Sequence, residues 1–288
     1  MRTSESARRS TVSGTIGTML TAGLGLVGLL WPSLASAGSL SPIVVPGGIV
    51  RWSAQGTEAC MTSAGAWEPL GDTCFFPVDL LNRGTLRLAR RRDGRRETIV
   101  VRVGRYPYGR QRLTVPARWV RLTAEDRARV ARESAEIKPL WARESAPVFS
   151  LPLGPPLAEM PAGERFGARR YFNRRPRSPH SGADYSVPAG TPVLAVADGV
   201  VALVADHFFA GNSVYVDHGG GLISMCFHLE RVDVVVGEGV KKGQALGLAG
   251  ATGRALGPHL HFGVRWHGAR IDPALLLGPP EDLPEIAR

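Results

Sequence analysis

The second half of the sequence, from Phe166 to about Leu277, is a series of short β-favouring runs separated by glycine turns. Runs such as "GVVALVADH", "NSVYVDH" and "LISMCFHL" alternate with turns such as "DHGGGL" and "VGEGVKKG". Short strands at this spacing predict an antiparallel sheet. Because no long helical pattern interrupts the runs, the sequence disfavours a parallel β-α-β architecture.

The first half of the chain predicts a smaller all-β domain and a connecting helix. Residues 41–115 alternate β-favouring runs with turn residues, and Asp93-Gly94 is a hairpin signal within this range. Residues 120–164 form the connection: Thr123 is a candidate N-cap of a mostly exposed helix that stops near Pro139. The proline-rich stretch that follows is either a semi-extended linker or a segment laid over a surface. The expected fold class is therefore mainly β.

Residues 1–37 have the pattern of a cleaved secretory signal. A basic start is followed by an apolar run from Ile16 to Leu30 and by the small residues Ala35-Ser36-Ala37. Two adjacent arginines also weakly suggest a twin-arginine signal. An uncleaved membrane anchor is the alternative, and it would be the only contact with a membrane. The pattern predicts a periplasmic or secreted protein of the cell envelope.

Charge and cysteine content bear on the same compartment. The formal net charge is +10, and removing three arginines and one glutamate with residues 1–37 leaves +8. This excess suits an anionic envelope surface, or it is simply a solvated arginine-rich face. Export makes nucleic acid an unexpected partner. In an oxidising compartment Cys60 and Cys74 are close enough in sequence to form a disulfide, which leaves Cys226 unpaired.

All seven histidines lie in the second half of the chain, and a subset has metal-ligand spacing. His180 precedes Asp184 by four residues, and imidazole nitrogen and carboxylate oxygen are both zinc ligands. A catalytic zinc takes three protein ligands and keeps one open position. In "GPHLHFGV", His259 and His261 share one face of a strand while Leu260 points to the other. This pair is the candidate source of the third ligand.

Four blocks together resemble peptidase family M23, also called the LytM or lysostaphin type. They are "HSGADYSVPAGTPVLAVADGVV", "GNSVYVDHGGGLISMCFHLE", "VKKGQALGLAGATGRALGPHLHFGV" and the closing "IDP", which occur in the family's order. The resemblance implies a LytM-type catalytic domain over 165–277, with 278–288 as a C-terminal tail. It also implies an exported zinc endopeptidase that hydrolyses peptide bonds of peptidoglycan cross-links or stems through a zinc-activated water.

The resemblance also implies roles for individual residues. His180, Asp184 and His261 fall on the family's zinc ligands, whereas His228 and His259 fall on its catalytic histidines. Cys226 occupies a place where members commonly carry tyrosine. This thiol is expected to be a buried small hydrophobe, with a polar group near the site or an adventitious zinc ligand as alternatives.

Residues outside these motifs have less specific expectations. Arg170 and Asn173 precede the first ligand, and they either line the substrate groove or belong to a basic loop. His218 is expected to shape a hairpin beside a glycine turn. His207 and His267 are expected to be exposed loop residues.

Two other functions are compatible with the same motifs. One is a LytM-type non-catalytic protein that binds and activates other cell-wall hydrolases, which would make envelope regulators its partners. The other is a purely structural zinc, which fits less well because two further histidines accompany the three ligands. For an enzyme, both the D,D-cross-link and a glycine bridge remain open as the bond that is cut.

Overall fold

The computed structural model describes residues 42–163 and 166–286, so the predicted signal segment 1–37 lies outside the described residues. In the described part of the chain, no helix is both long and apolar enough to cross a bilayer. The predicted fold class is confirmed, because strands dominate and most pair antiparallel. The N-terminal strands are β1 (Ile43–Val44), β2 (Ile49–Ser53), β3 (Thr57–Thr62), β4 (Gly65–Trp67), β5 (Thr73–Pro77), β6 (Thr85–Arg92) and β7 (Arg95–Val103).

These N-terminal strands form two small sheets around one core. The larger sheet has the order β1-β7-β6-β3-β4, and β2 pairs with β5 in the smaller one. The predicted hairpin joins β6 to β7 through Asp93 (φ 51°) and Gly94 (φ 68°), the left-handed pair that a two-residue turn requires. A disulfide between Cys60 and Cys74 links β3 to β5, with 5.6 Å between the two Cα atoms. It therefore ties the two sheets together.

A helix and an extended segment connect this region to the large sheet. Helix α1 (Ala124–Ile137) begins at Thr123, whose hydroxyl accepts from Asp126 N while the Asp126 carboxylate accepts from Thr123 N. This reciprocal capping box satisfies two backbone donors at the helix start. The helix ends at Ile137 and continues as a 3-10 segment, Lys138–Ala142, that contains Pro139.

The proline-rich stretch after the helix is laid over the surface of the large sheet. Its backbone bonds to the sheet through Val148 N to His218 O (2.9 Å) and Gly154 N to Val196 O (2.7 Å). Leu157 on this stretch is buried in the core of the sheet. Of the two alternatives for this segment, a semi-extended linker or a segment laid over a surface, the structure therefore has the second.

The large C-terminal sheet places the predicted site residues side by side. Its main path is β11-β18-β15-β14-β13-β16, with β12 pairing β17, β17 pairing β15, and β19 pairing β18. The register sets Asp184 opposite His261 on one side, and Phe227 opposite His261 on the other. The strands are β11 (Gly182–Tyr185), β12 (Pro192–Leu194), β13 (Gly199–His207), β14 (Gly211–Asp217), β15 (Leu222–Val232), β16 (Gly239–Val240), β17 (Ala245–Ala249), β18 (Leu260–Trp266) and β19 (Ala269–Ile271), followed by the short helix α2 (Ala274–Leu277).

A three-stranded sheet adds a wall beside these strands. It consists of β8 (Arg110–Leu113), β9 (Arg169–Phe172) and β10 (Arg175–Pro176), with β8 parallel to β9. The parallel pair joins chain segments on either side of the predicted boundaries at 115 and 165. Residues of the first half of the chain therefore lie next to the metal-ligand motif of the second half.

Candidate metal centre and groove

Three donor atoms converge at the end of strands β11 and β18. His180 Nε2 lies 2.9 Å from His261 Nδ1 and 3.0 Å from Asp184 Oδ1, and His261 Nδ1 lies 2.9 Å from the same carboxylate oxygen. His180 is in the loop before β11, where its backbone N–H donates to Ala168 O at 3.0 Å. All three predicted ligands therefore meet at one point.

The dimensions and chemistry of this triangle fit a zinc ion. Tetrahedral zinc with bonds of about 2.0–2.1 Å sets its ligand atoms about 3.3 Å apart. The observed edges of 2.9–3.0 Å need only a small opening to reach that spacing. Two imidazole nitrogens and one carboxylate oxygen are also a donor set typical of catalytic zinc.

The electrostatics keep these groups in their metal-binding forms. Burial alone would raise the pKa of Asp184, but hydrogen bonds with His180 and His261 outweigh it and hold the pKa well below the usual range. Burial lowers the pKa of His261 to about 4, although Asp184 opposes the shift. An ionised carboxylate and a neutral imidazole are therefore the forms present at neutral pH, and these are the charge states in which aspartate and histidine bind metal.

Arg170 supports the carboxylate from the other side. Its Nη2 donates to Asp184 Oδ2 at 3.0 Å, and its Nε donates to Gln111 Oε1 at 3.0 Å. Asp184 thus has one oxygen fixed by the guanidinium and the other turned towards the histidines. Since Gln111 lies on β8, the parallel β8–β9 pair contributes to the orientation of a metal ligand.

The two predicted catalytic histidines lie beside the three donor atoms, and the centroids of their rings are 4.7 Å apart. His228 Nδ1 is 2.9 Å from Thr252 O, and His259 Nδ1 is 2.9 Å from Gly257 O. A carbonyl can only accept, so Nδ1 carries the proton in both rings and the neutral tautomer leaves Nε2 as an acceptor. His259 Nε2 lies 3.8 Å from Asp184 Oδ1.

A local break in strand β15 turns His228 into the groove. Residues up to Phe227 pair with β18, whereas pairing with β17 begins at Leu229. His228 between them has φ 67°, in the left-handed region that is uncommon for a residue with a side chain. In a regular strand two successive side chains face opposite sides. Here Phe227 and His228 both line the groove, and the Phe227 ring stacks on His261 with 5.1 Å between centroids.

Burial also sets the protonation of His228. It lowers the pKa to about 3, with further repulsion from His261 and His259. His228 is therefore neutral at physiological pH. A neutral ring whose Nδ1 is anchored presents its Nε2 lone pair to whatever enters the groove.

The site opens into a groove of about 490 Å³. Its walls combine the three-stranded sheet, the loop after β13 and the segment before His259. The apolar wall residues include Leu113, Val115, Trp119, Phe172, Phe209 and Leu256, and the cationic ones are Arg170 and Arg254. Gln111, Trp119, Phe209 and Arg254 were not anticipated from sequence, although Arg254 lies within the quoted "GATGRALGPHLHFGV" block.

Of the two predicted groove residues, Arg170 lines the groove and Asn173 lies elsewhere. The Asn173 amide is engaged with the backbone of Val115, accepting from its N–H at 2.9 Å and donating to its carbonyl at 2.8 Å. Asn173 therefore fastens the Val115 wall to the turn after β9. A direct contact between Asn173 and substrate stays a prediction.

Two of the remaining histidines, His207 and His267, are less exposed than the sequence indicates. His207 is only 3% exposed at the end of β13, so the expectation of an exposed loop residue is wrong for it. The reason is helix α1, whose Glu136 carboxylate lies 3.4 Å from His207 Nε2. His267 is half-buried and stacks on Trp67 with 4.0 Å between centroids, so it is not an exposed loop residue either.

His218 and Cys226 are both buried within the sheet. His218 is hydrogen-bonded through Nδ1 to Asp198 O (2.7 Å) and through Nε2 to Ser224 Oγ (2.8 Å), which fixes the glycine turn beside it. Cys226 pairs with Phe262 in the sheet register, and burial raises the pKa of its thiol to about 12. These surroundings agree with the expectation of a small buried hydrophobe at Cys226.

Comparison with known proteins assigns the chain to a family. The chain is a mainly β protein with a His-Asp-His cluster whose donor atoms are close enough to hold a metal ion. The family model of peptidase family M23 matches residues 178–273. A crystal structure of an M23 peptidase from Pseudomonas aeruginosa has a TM-score of 0.65 and 33% sequence identity, covering 81% of this chain and 95% of that one. The chain belongs to peptidase family M23.

Curated relatives match over about a third of the chain. The peptidoglycan DD-endopeptidase ShyA of Vibrio cholerae is 45% identical over 95 residues, which are 33% of this chain and 22% of the relative. The DD-carboxypeptidase/endopeptidase Mpg of Neisseria meningitidis serogroup B is 38% identical over 104 residues, which are 36% and 24% of the two chains. The chain thus spans about a fifth to a quarter of the length of these relatives.

Proposed function

We propose that the protein is an exported, zinc-dependent endopeptidase that hydrolyses peptide bonds in the cross-links or stems of bacterial peptidoglycan. The observation that carries the proposal is the convergence of the three donor atoms with two further histidines on one open groove. A closed structural site would not need the two extra histidines. The names of the relatives as peptidoglycan endopeptidases support the substrate.

His180, Asp184 and His261 would hold the zinc ion. When bound there, zinc supplies a Lewis acid that polarises the scissile carbonyl and makes a water molecule more acidic. Arg170 contributes by fixing Asp184 in the orientation that turns Oδ1 towards the two histidines. We assign Arg170 a positioning role for this reason.

His228 and His259 would handle the proton. Each presents an Nε2 acceptor to the groove, so either ring can orient the attacking water and accept its proton as the oxygen–carbon bond forms. The same proton is then returned to the leaving nitrogen as the carbon–nitrogen bond breaks. The carbonyl anchors on Nδ1 set the starting tautomer of both rings, in which Nε2 is the acceptor, and they hold the Nδ1 proton in place while Nε2 takes up and returns the second proton.

The cell envelope is the proposed place of action, either the periplasm or outside the cell. The signal pattern of residues 1–37, the basic charge and the peptidoglycan-acting relatives support it. Peptidoglycan is the expected partner, and envelope regulators of the enzyme are compatible with this location.

Digestion of defined muropeptides tests the proposal. The zinc-loaded protein is incubated with intact sacculi and with purified cross-linked muropeptides, and the products are identified by mass spectrometry. We expect cross-linked species to be converted into smaller products with a new amino end, with loss of activity in a chelator and recovery on adding zinc. A protein that binds zinc yet cleaves neither substrate would contradict the proposal and favour a regulator of other wall hydrolases.

A further inference from the structure

One cation of the groove lies over two aromatic rings. The Arg254 guanidinium carbon lies 4.1 Å from the centroid of the Phe209 ring and 4.9 Å from that of Phe172. Its backbone N–H donates to Phe209 O at 3.0 Å. Contact with two ring faces restrains the position of the guanidinium, while its nitrogens remain available to a group in the groove.

This cation has like charges as neighbours. Within residues 42–163 and 166–286, no carboxylate oxygen lies within 4.0 Å of the Arg254 side-chain nitrogens. Burial lowers its pKa to about 10, and Arg170 and Arg177 add repulsion. Arg254 therefore stays charged at neutral pH. Asp184, the carboxylate of the groove, is already bonded to Arg170 at 3.0 Å.

A partly buried charge of this kind is costly unless an opposite charge accompanies it. The planar fork of a guanidinium matches a carboxylate through two parallel hydrogen bonds. Since the described protein residues supply no such carboxylate to Arg254, an anionic group on the occupant of the groove is the natural partner. Stems and cross-links of peptidoglycan are peptides, and a free carboxylate is the anionic group that a peptide offers.

We propose that Arg254 binds a free carboxylate of the substrate peptide, so that the groove selects peptides with a carboxylate near the scissile bond over neutral ones such as oligoglycine. The inference rests on the proposed function and adds the substrate class to it. Arg254 is thereby a specificity-determining residue that touches substrate.

A pair of peptides that differ only in whether their carboxylates are free tests this role by binding. A cross-linked muropeptide with free carboxylates is compared with the same compound after conversion of its carboxylates to carboxamides. Dissociation constants are measured by calorimetry with the full protein in EDTA, so that no turnover is needed. The variants are Arg254→Gln, Arg254→Lys, which keeps the charge, and Arg87→Gln, which removes an exposed arginine of β6 far along the chain from the groove motif.

For the unaltered protein and for Arg87→Gln, we expect the free acid to bind about ten- to a hundredfold more tightly than the carboxamide. Arg254→Gln should bind both compounds as weakly as the unaltered protein binds the carboxamide. The preference of Arg254→Lys for the free acid should lie between those of Arg254→Gln and the unaltered protein. The inference is overturned if the unaltered protein shows no preference, or if Arg254→Gln, folded by circular dichroism, keeps it. If Arg254→Gln does not fold, the inference is supported when the unaltered protein prefers the free acid and Arg254→Lys shows a smaller preference. It is overturned when either of these two results fails.

A parallel cleavage assay with zinc separates this inference from the proposed function. Carboxylate-dependent binding without cleavage of either compound would refute the endopeptidase and leave the role of Arg254 standing. Cleavage of both compounds at equal kcat/KM, with equal binding, would refute the role of Arg254 and leave the endopeptidase standing.

Discussion

Replacement of Gly182 by alanine probes how closely strand β11 must approach strand β18, which carries His261. A Cβ built at Gly182 would lie 2.5 Å from Phe262 O and 2.7 Å from His261 Nε2. Carbon–oxygen contacts between neighbouring strands are ordinarily about 3.3 Å or longer, so β11 and β18 would have to separate by about 0.8 Å. Because the obstructing oxygen belongs to the backbone, a side-chain rotation cannot relieve the overlap.

The expected cost falls on both stability and metal affinity. Overpacking of this kind typically costs about 1–3 kcal/mol of the free energy of unfolding. Asp184 is two residues further along β11, opposite His261, so the same separation pulls one ligand away from another. Displacing a ligand from its supported position typically lowers metal affinity by about 10–100-fold.

Urea unfolding in EDTA and zinc competition against a chromophoric chelator measure the two effects. Gly239→Ala is the matched control, because a Cβ there meets no atom within 4 Å. The control should stay within about 1 kcal/mol of the unaltered protein and bind zinc equally well. If Gly182→Ala behaves like Gly239→Ala in both measurements, the close strand approach is not what holds the ligands together.

Two further predictions concern buried groups outside the groove. Burial lowers the pKa of His267 to about 4, below its ordinary value of about 6.5, so the folded state binds fewer protons between these values and stability is lost as the pH falls through this window. Between pH 7 and 4.5 the free energy of unfolding in urea should fall, and the fall should be about 2–3 kcal/mol smaller in His267→Phe than in the unaltered protein. An equal fall in both proteins would refute the lowered pKa of His267. Burial raises the pKa of Cys226 to about 12, so iodoacetamide should label this thiol at pH 8 only after unfolding; mass spectrometry showing rapid labelling of the native protein would contradict its burial.

Local features of the fold could be predicted from the sequence because short-range chemistry determines them. Asp93-Gly94 supplies the two left-handed residues of a tight hairpin, and Thr123 with Asp126 supplies a complete helix cap. The antiparallel sheet follows from short strands with glycine turns. None of these features depends on a distant part of the chain.

The residues of the candidate site could be named from the sequence, but the contacts that bring them together could not. The blocks that resemble the family mark His180 and His261, but their meeting depends on strand register between positions 81 residues apart. The parallel pairing of β8 with β9, which brings Gln111 to Arg170, has no short-range signal. The burial of His207 likewise depends on where helix α1 packs, which the exposed pattern of that helix does not reveal.

Zinc affinity and cleavage measured together for His261→Ala and His259→Ala distinguish a zinc ligand from a histidine that acts on the water. We expect both variants to lose cleavage of cross-linked muropeptides. We also expect His261→Ala to lose more than about a hundredfold in zinc affinity, whereas His259→Ala binds one zinc ion as the unaltered protein does. Equal zinc affinity in the two variants, or cleavage that survives in His261→Ala without bound zinc, would contradict these roles.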